Sequence, residues 1–429
     1  DNLDELSTTG PSFVAQIRDG NLTSFEVTPE DAGVARATLA DLKGGEPDFN
    51  AARLTELLDG ASGAYRDIVL LNAGAALVVA GRAGTLRHGA EMAAKLASSD
   101  IMTDKGARPL SATSPLFDPL HYNNGAVWPF VTGWVSLAEY NYHNPAAGWF
   151  ALDAIAHTTF DQSLGHNPEV ISGRLYKPLD TAVPQQFFAT SMVLTPLIRG
   201  LLGITVDAPA YRVTLAPHLP PGWDSVGVDN VPVGADRLSL MIRRSAGEIS
   251  VAARRSGDDH TPLQVVFSPA LPLGAHVSGS GVAAEVTPGD VHATVSAMVA
   301  ASATLRVAYS GGWSIVPPEM PAVIGERSHA PRVLSERLVP RVAGSPPASE
   351  QYEVALEGLA GQTYTFRIVA PSPGAARNLS VAVTAGAAAR LGTWAGADGR
   401  TLLVTFPTDG ANADGYTAAT VTMRGQGRL

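Results

Sequence analysis

The residues most suited to chemistry lie in one stretch, residues 118–134, with the sequence DPLHYNNGAVWPFVTGW. Its first half is polar and turn-like. Its second half predicts a helix, because apolar residues recur there at close to a 3.6-residue period and Pro129 suits a first helical turn. A polar and aromatic loop at the mouth of a buried helix is suited to binding a sugar. The candidate substrate-binding residues of this loop are His121, Tyr122, Asn123, Asn124 and Trp128.

Each of these side chains has a sugar-binding interpretation and a structural one. The rings of Tyr122 and Trp128 could stack on a pyranose face, and the polar side chains, with Gln185 and Gln186 further along the chain, could bond its hydroxyl groups. The alternative for Trp128 is core packing, because large aromatic side chains are mostly buried. His143, His157 and His166 are too scattered along the chain to predict a metal site.

The composition indicates a folded, acidic protein. The chain has 429 residues, of which 45% are hydrophobic, and its length suggests about three domains. The formal net charge of −10 argues against broad electrostatic binding to nucleic acid or to an anionic membrane. No apolar run has the length of a membrane span. The absence of cysteine excludes disulfides and thiolate metal sites.

The first hundred residues predict a hairpin followed by helices. Residues 13–19 and 22–27 alternate apolar and polar side chains around a turn at Gly20, which is the pattern of a β-hairpin. Residues 47–58 predict an amphipathic helix, and residues 67–81 are so uniformly apolar that they predict a buried one. Thr85 is a candidate cap for a last helix that runs to about residue 98.

The motifs LDELSTTGP, FEVTPEDAGVARATLADLKGG and YRDIVLLNAGAALVVAG resemble the C-terminal part of anthranilate phosphoribosyltransferase. That family makes phosphoribosyl-anthranilate from anthranilate and phosphoribosyl pyrophosphate with Mg²⁺. The resemblance implies a partial α/β phosphoribosyltransferase segment over residues 1–99. It also implies a Mg²⁺ site at Asp4 and Glu5, since carboxylate oxygens suit this ion, although an Asp-Glu pair is usually only surface. The family's GTGGD diphosphate loop does not occur in the sequence, so we expect no phosphoribosyl transfer.

The pattern changes near residue 100 without a Pro/Gly/Ser-rich linker. The first residues, DNLDELSTTG, have neither the basic region nor the apolar core of a signal peptide, and we expect them to lie inside a domain. The resemblance over residues 1–98 covers only the C-terminal part of its family, and the residues after 100 follow a different pattern. We therefore expect a chimera, which a spliced or mis-assembled reading frame explains better than an evolved bifunctional enzyme.

Residues 101–203 contain TDKGARPLSATSPLFDPLHYNNGAVWPFVTGWVSLAEY and PEVISGRLYKPLDTAVPQQFFATSMVLTPLIRGLLG. These motifs resemble bacterial (α/α)6-barrel glycoside hydrolases of the glycogen-debranching, trehalase-like or mannosylglycerate-hydrolase-like kind. Lys105 departs from the resemblance, which implies Trp there. Helices are predicted at 127–140, 148–160 and 182–202, with Pro184 in the first turn of the last, a kink at Pro196 and an end at Gly203. A partial barrel over residues 100–203 is expected.

The same resemblance implies the catalytic groups. Glu169 matches the position of the catalytic base in trehalase-like relatives, which are inverting enzymes and also need a carboxylic acid to protonate the leaving oxygen. The alternative is a solvated loop residue after Pro168. The family's acid belongs to a motif that this sequence lacks. Four other carboxylates are near in sequence without matching that motif: Asp104, Asp118, Glu139 and Asp180.

Residues 204–429 alternate short Val-, Thr- and Leu-rich runs with Gly/Pro turns, which is typical of β-sandwiches. We expect one sandwich at 204–315, a Pro-rich linker or extended wrap at 316–350, and a second sandwich at 351–429. LAPHLPPGWDSV resembles the start of the β-domain that follows many helical-barrel glycosidases. Trp223, Trp313 and Trp394 are candidate sugar platforms, although buried sandwich tryptophans are more common.

The fold class expected is thus multidomain α+β, and three functions stay open. The first is the C-terminal half of an inverting (α/α)6-barrel glycoside hydrolase on α-glucoside-type oligosaccharides, fused to a phosphoribosyltransferase tail and inactive as it stands. The second is a phosphoribosyltransferase, and the third a non-catalytic carbohydrate-binding protein. The glycosidase part implies no cofactor. The expected partner is a carbohydrate, with oligomeric state open. The tail implies a cytoplasmic location, and the glycosidase part a periplasmic or extracellular one.

Overall fold

The computed structural model describes residues 5–18, 20–46, 49, 50, 53, 63–79, 86, 98–245, 247–257, 261–277, 285, 286, 292–339, 351–369, 379–384, 386–394 and 399–425. The chain divides into two units, Asp1–Leu96 and Ala97–Leu429. Together they make a multidomain, sheet-rich protein with few helices among the described residues. None of the described helices is both long and apolar enough to cross a membrane.

The first unit contains the predicted hairpin. Strands β1 (Ser12–Arg18) and β2 (Asn21–Val27) pair antiparallel from Ser12↔Val27 to Arg18↔Asn21. Gly20 has a φ of 77°, which explains the glycine at the turn. The predicted helices at 47–58 and 85–98 lie almost wholly outside the described residues.

Helix α1 (Ala64–Val79) confirms the helix predicted at 67–81 but not its full burial. Leu71 is 1% exposed and packs with Ala32, which ends the short 3-10 turn Pro29–Ala32. Val69, on another face of α1, is 48% exposed. The prediction of a wholly buried helix is wrong, because the described packing partners cover only one side of it.

The second unit begins with short strands and three described helices. Strands β3 (Met102–Thr103) and β4 (Gly106–Ala107) precede α2 (Pro129–Asn141) and α3 (Pro145–His157), which a 3-10 turn extends at Thr158–Phe160. Helix α4 (Phe187–Thr195) continues as a π-helical turn, Pro196–Leu201. The predicted helices 127–140 and 148–160 are confirmed. The third begins at Phe187 instead of 182, so Pro184 lies before it.

Pro196 acts as its chemistry requires. It has no N–H for an α-helical bond, and the helix widens there until Leu202 N donates to Leu197 O at 3.0 Å, five residues back. Gly203 follows with a φ of 59° and ends the helix as predicted. Helix α4 lies very close to α2, since a Cβ on Gly133 would come within 2.3 Å of Met192 O.

The first β-sandwich packs two sheets over one core. Its strands are β5 (Ile204–Asp207), β6 (Arg212–Leu215), β7 (Ser225–Val233), β8 (Asp236–Ser245), β9 (Glu248–Ser256), β10 (Leu263–Phe267), β11 (Leu273–Val277), β12 (Glu285–Val286), β13 (Ala293–Val299) and β14 (Ser302–Val316). One sheet has the order β12-β13-β10-β6-β5. The other contains the order β14-β9-β8-β7, with β11 paired to β14, and continues into the second sandwich.

The long strand β14 belongs to both sandwiches. Its first part pairs with β9 and its last three residues pair with β17, with Gly311 and Gly312 at φ 77° and 95° between them. The second sandwich closes with a four-stranded sheet of order β15-β16-β21-β18. Its strands are β15 (Arg332–Val339), β16 (Gln351–Leu359), β17 (Thr363–Val369), β18 (Leu379–Val383), β19 (Ala388–Trp394), β20 (Gly399–Thr405) and β21 (Tyr416–Gly425).

The structure bears on two expectations for this region. Within the stretch 316–350, expected as a Pro-rich linker or extended wrap, residues 332–339 form β15 and pair with β16. Trp313 follows the buried alternative and is no sugar platform, since it is 3% exposed and stacks on Tyr352 with ring centroids 5.2 Å apart. Trp223 is half-buried against Trp149 at 4.8 Å, and the side chain of Trp394 lies outside the described residues.

Candidate functional site

The loop before α2 and the segment that carries Glu169 are joined by backbone pairing. Val127 and Ile171 exchange two hydrogen bonds, of 2.8 and 3.0 Å, in an isolated antiparallel bridge. The two segments also touch at their glycines, since a Cβ on Gly173 would come within 1.8 Å of Gly125 O. The bridge places residues 118–128 beside residues 167–173, although about fifty residues separate them in sequence.

Glu169 is half-buried and its carboxylate is held by two donors. The Tyr122 hydroxyl donates to Oε1, and Gln186 Nε2 donates to the same oxygen at 2.7 Å. No donor among the described residues is paired with Oε2. The bond to the Glu169 carboxylate, with burial and the carboxylate's charge behind it, raises the pKa of Tyr122 to about 12. One oxygen of Glu169 is therefore fixed, and the other is available to a ligand.

Trp128 packs against Tyr122, whose hydroxyl holds this carboxylate. Its ring lies edge-on to Tyr122 with centroids 4.6 Å apart, and its Nε1 donates to Tyr122 O at 3.1 Å. Both rings pack on a small cluster of Ala126, Val170 and Leu179. Trp128 is half-buried, so it is packed as the structural interpretation expects, and the sugar-stacking interpretation stays a prediction.

The structure brings together only part of the predicted set. His121 accepts from the backbone N–H groups of Asn123 and Asn124 at 3.2 Å each, so its Nδ1 stabilises the turn. Gln185 is exposed and donates to Ser163 Oγ at 3.0 Å instead of to Glu169. Gln186 was predicted to bind hydroxyls, yet its amide nitrogen positions Glu169. No sequence signal links Gln186 to Glu169. They are seventeen residues apart, and the segment between them has no helix or strand periodicity that would predict the contact.

The four other carboxylates considered from sequence have different surroundings. Asp104 is buried, pairs with Arg332 at 3.1 Å and accepts from two backbone N–H groups, so it is a structural anchor. Glu139 is buried in α2, where loss of hydration raises its pKa to about 7. Asp118 and Asp180 are exposed, and Asp118 Oδ1 accepts from Leu120 N. No second carboxylate is hydrogen-bonded to Glu169 within the described part of the chain.

The predicted magnesium ligands are in the first unit. Asp4 lies outside the described residues, and Glu5 is exposed. The next residue, Leu6, is anchored to α1 by two bonds to the side chain of Asn72, at 3.0 and 2.9 Å. An exposed carboxylate on an anchored backbone fits the chemistry of a Mg²⁺ ligand.

Lys105 stands where the glycoside-hydrolase resemblance implies Trp, and the structure shows its surroundings. It is 1% exposed, and burial lowers the pKa of its amine to about 8. Its Nζ donates to Arg174 O at 3.3 Å. The fold therefore buries an amine with one hydrogen bond to a backbone oxygen at this position.

Comparisons with known proteins support the first resemblance. Residues 1–100 match the family model described as glycosyl transferase family, a/b domain. The chain is 55% identical over 114 residues to the anthranilate phosphoribosyltransferase of Parvibaculum lavamentivorans, which covers 27% of the chain and 33% of the relative. It is 59% identical over 99 residues to that of Beijerinckia indica, covering 23% and 29%. The resemblance of the N-terminal segment is confirmed, while the chain spans about a third of the length of these curated relatives.

Similar solved structures are glycoside hydrolases. A GH127 beta-L-arabinofuranosidase from Geobacillus stearothermophilus T6 is 9% identical with a TM-score of 0.28, covering 90% of the chain and 67% of that protein. A second structure, named only as a glycoside hydrolase, is 10% identical with a TM-score of 0.25, covering 69% and 52%. Likenesses this weak carry no argument about fold or function.

Proposed function

We propose that residues 101–429 bind a carbohydrate at Glu169, and that Glu169 is the general base of an inverting, (α/α)6-barrel-type glycoside hydrolase for α-glucosides. One observation carries the proposal: the Glu169 carboxylate is half-buried and held at Oε1 by Tyr122 and Gln186. The two donors hold the carboxylate in one orientation, which a general base needs when it removes a proton from a bound water. The unpaired Oε2 would then face that water.

The role of base fits Glu169 better than the role of acid. A glycosidase acid usually lies in apolar surroundings, whereas the surroundings of Glu169 are polar and include the Tyr122 hydroxyl and the Gln186 amide. Gln186 and Tyr122 are positioning residues in this proposal, since they act through the carboxylate. Trp128 would limit the space on one side of the sugar.

We further propose that the chain binds sugar without hydrolysing it efficiently. Inversion needs a second carboxylic acid on the other side of the glycosidic bond. The nearby candidates Asp104 and Glu139 are buried in structural contacts, and neither matches the family's acid motif. A bound sugar would therefore meet the base without its acid partner.

The test is hydrolysis and binding of a panel of α-linked glucosides and trehalose by the parent chain and Glu169→Gln. We expect binding of at least one sugar by the parent, at least about tenfold weaker binding in Gln186→Ala, and unchanged binding in Gln185→Ala. The two glutamines are adjacent, but only one contacts Glu169. Equal binding by both glutamine variants would overturn the site. Hydrolysis that disappears in Glu169→Gln would support the base and refute the expected inactivity.

The partial barrel is also a proposal, supported by an apolar face on α2 and α4. Trp134 is 50% exposed and Phe187 86% exposed, and further apolar residues of the same helices are exposed beside them: Phe188, Leu194 and Ile198. Other helices of a barrel would cover such a face. We expect the purified chain to bind a hydrophobic dye or to self-associate through it. A monomer without dye binding would contradict this part of the proposal.

A second candidate function follows from the match over residues 1–100. We propose that Glu5, with Asp4, is the remnant of a Mg²⁺ site that would hold the diphosphate of phosphoribosyl pyrophosphate. The magnesium ion, when bound, would neutralise phosphate charge, and Glu5 would only orient it. We expect no phosphoribosyl-anthranilate from anthranilate and phosphoribosyl pyrophosphate, because the GTGGD motif is absent from the sequence. Detectable product would reverse this ranking of functions.

A further inference from the structure

Three histidines from distant parts of the chain meet in the second unit. His143 follows α2, His218 lies in the loop after β6, and His292 immediately precedes β13. Their ring nitrogens all lie within 4.8 Å of one another. His143, His157 and His166 are too scattered along the chain to predict a metal site, and the neighbours of His143 in space are instead 75 and 149 positions further along the chain.

Backbone carbonyls fix the tautomers of two of these rings. His218 Nδ1 lies 3.1 Å from Gly200 O, and His292 Nδ1 lies 2.5 Å from Ser268 O. A carbonyl oxygen can only accept, so each Nδ1 must carry the hydrogen. In the neutral rings, Nε2 of His218 and Nε2 of His292 then carry no hydrogen, and each presents a lone pair. Histidines that bind metals are oriented by this same hydrogen bond from the second nitrogen.

The two lone pairs face each other. Nε2 of His218 is 3.0 Å from Nε2 of His292 and 3.4 Å from Nδ1 of His143. Neutral rings in this arrangement repel unless a cation lies between the nitrogens. Tetrahedral ligands at a Zn–N distance of about 2.05 Å are about 3.3 Å apart, so these spacings are close to those of a zinc site.

Two of the three rings are buried. His218 and His292 are 7% and 8% exposed, so a cation between their nitrogens would be largely removed from water. A metal ion offsets this loss of hydration through direct bonds to the three nitrogens.

His143 occupies its position at a conformational cost. Its φ is +60°, the left-handed region, at the position after the helix cap where glycine is usual. Asn144 N donates to Glu139 O at 2.8 Å across this turn, which completes the helix end. A side chain there costs about 1 kcal/mol relative to glycine. The imidazole of His143 therefore stands at a position where the backbone conformation favours glycine.

A cavity large enough for water adjoins the cluster. His143 and His218 line a cavity of about 70 Å³ together with Pro145, Leu271, Trp313 and Glu336. This volume holds a few water molecules and would supply the fourth ligand that three histidines leave open. His143 is half-buried, and its ring centroid lies 5.3 Å from that of His292.

We propose that His143, His218 and His292 form a site for one divalent transition-metal ion, Zn²⁺ by its preference for three neutral imidazoles and a water. The ion would join the end of α2 to two β-segments of the first sandwich. It lies outside the Glu169 site and does not depend on the proposed glycosidase function. Imidazole also suits Ni²⁺ and Cu²⁺, but Zn²⁺ suits the two nitrogen spacings of 3.0 and 3.4 Å without demanding a square-planar arrangement.

The test uses the full, untagged chain after chelator treatment. We expect calorimetric titration with Zn²⁺ to show one ion per chain and thermal unfolding to shift upward with Zn²⁺. Co²⁺ in its place should give the strong visible absorption of a tetrahedral site. His143→Gly removes one ligand and relieves the backbone strain. We expect it to unfold no earlier than the parent without metal, to bind Zn²⁺ at least about tenfold more weakly, and to lose the upward shift.

The control is His166→Ala, which removes an exposed histidine outside the cluster. We expect this variant to bind Zn²⁺ like the parent. A parent chain that binds no Zn²⁺ would overturn the proposal, as would equal binding by His143→Gly and His166→Ala. Because His143→Gly is designed for a position that favours glycine, a loss of binding in this variant cannot be assigned to misfolding if it unfolds like the metal-free parent.

Discussion

Glu139 offers the most quantitative test of the fold around α2. It is 4% exposed, and its Oε2 accepts from Asn144 Nδ2 at 2.9 Å. Burial raises its pKa from 4.5 to about 7, and the bond from Asn144 offsets only part of this. A rise of about 2.5 units corresponds to about 3 kcal/mol. The folded protein therefore keeps a proton on Glu139 at pH values where the unfolded chain has lost it.

The sign of the pH dependence follows from proton binding. Between pH 4.5 and about 7 the folded state binds more protons at this site than the unfolded state, so stability falls as the pH rises. Above pH 7 the full cost is present, and below pH 4.5 it is absent. Glu139→Gln keeps an acceptor for Asn144 but never ionises. We expect it to stabilise the protein by about 2–3 kcal/mol at pH 8 and by less than about 1 kcal/mol at pH 4.5.

Urea unfolding followed by tryptophan fluorescence measures this difference in the second unit, which contains all six tryptophans. The matched control is Glu326→Gln, an exposed position, which should leave the free energy of unfolding unchanged at both pH values. A stability gain that is the same at pH 4.5 and pH 8 would refute the reasoning. So would a destabilised variant at pH 8.

Three further substitutions test other buried contacts, each by urea unfolding. Asp104→Asn should cost about 3 kcal/mol, because it leaves the buried Arg332 without its charge partner; a loss under 1 kcal/mol would contradict this. Gly133→Ala should cost about 2 kcal/mol or more, since the new Cβ would lie 2.3 Å from the backbone oxygen of Met192, and a neutral effect would mean that the two helices can separate. Lys105→Met should stabilise the chain by about 1–3 kcal/mol at pH 7, because it removes a buried charge. This gain should shrink between about pH 8 and 10.5, where the lysine of the folded parent is already neutral while that of the unfolded chain still carries its proton. A gain in the free energy of unfolding that is independent of pH would argue against a buried charge.

Local patterns predicted the elements whose causes are local. The hairpin at β1 and β2 follows from alternation around Gly20, and the end of α4 follows from Pro196 and Gly203. The start of α4 was misplaced by five residues, because apolar content alone does not say where a loop ends. The strand β15 was missed because its Pro-rich neighbourhood hid a short run whose pairing partner, β16, follows a long connection.

Contacts between distant segments could not be read from the sequence. The residue type and motif of Glu169 pointed to a site, but the donors that hold its carboxylate come from loops 47 residues before it and 17 after it. The histidine cluster is further still from prediction, since its members share no motif and no spacing. Only the packing of α2 against the first sandwich brings them together.

The three anchors of the helical segment bear on the choice between enzyme and binding module. Asp104 pairs with Arg332 of β15, Arg108 pairs with Asp414 at 2.6 Å before β21, and His143 meets two histidines of the first sandwich. The segment 101–203 is thus joined to both sandwiches through buried polar groups. If the sandwiches folded without it, the apolar core that the first sandwich shares with Tyr140, Leu152 and Leu201 would be open to water, at a cost of several kcal/mol. A carbohydrate-binding protein made of the sandwiches alone is therefore disfavoured, and we expect residues 204–429 expressed by themselves to be insoluble or to lack a cooperative unfolding transition. A soluble, cooperatively folding fragment that binds oligosaccharide would restore that alternative.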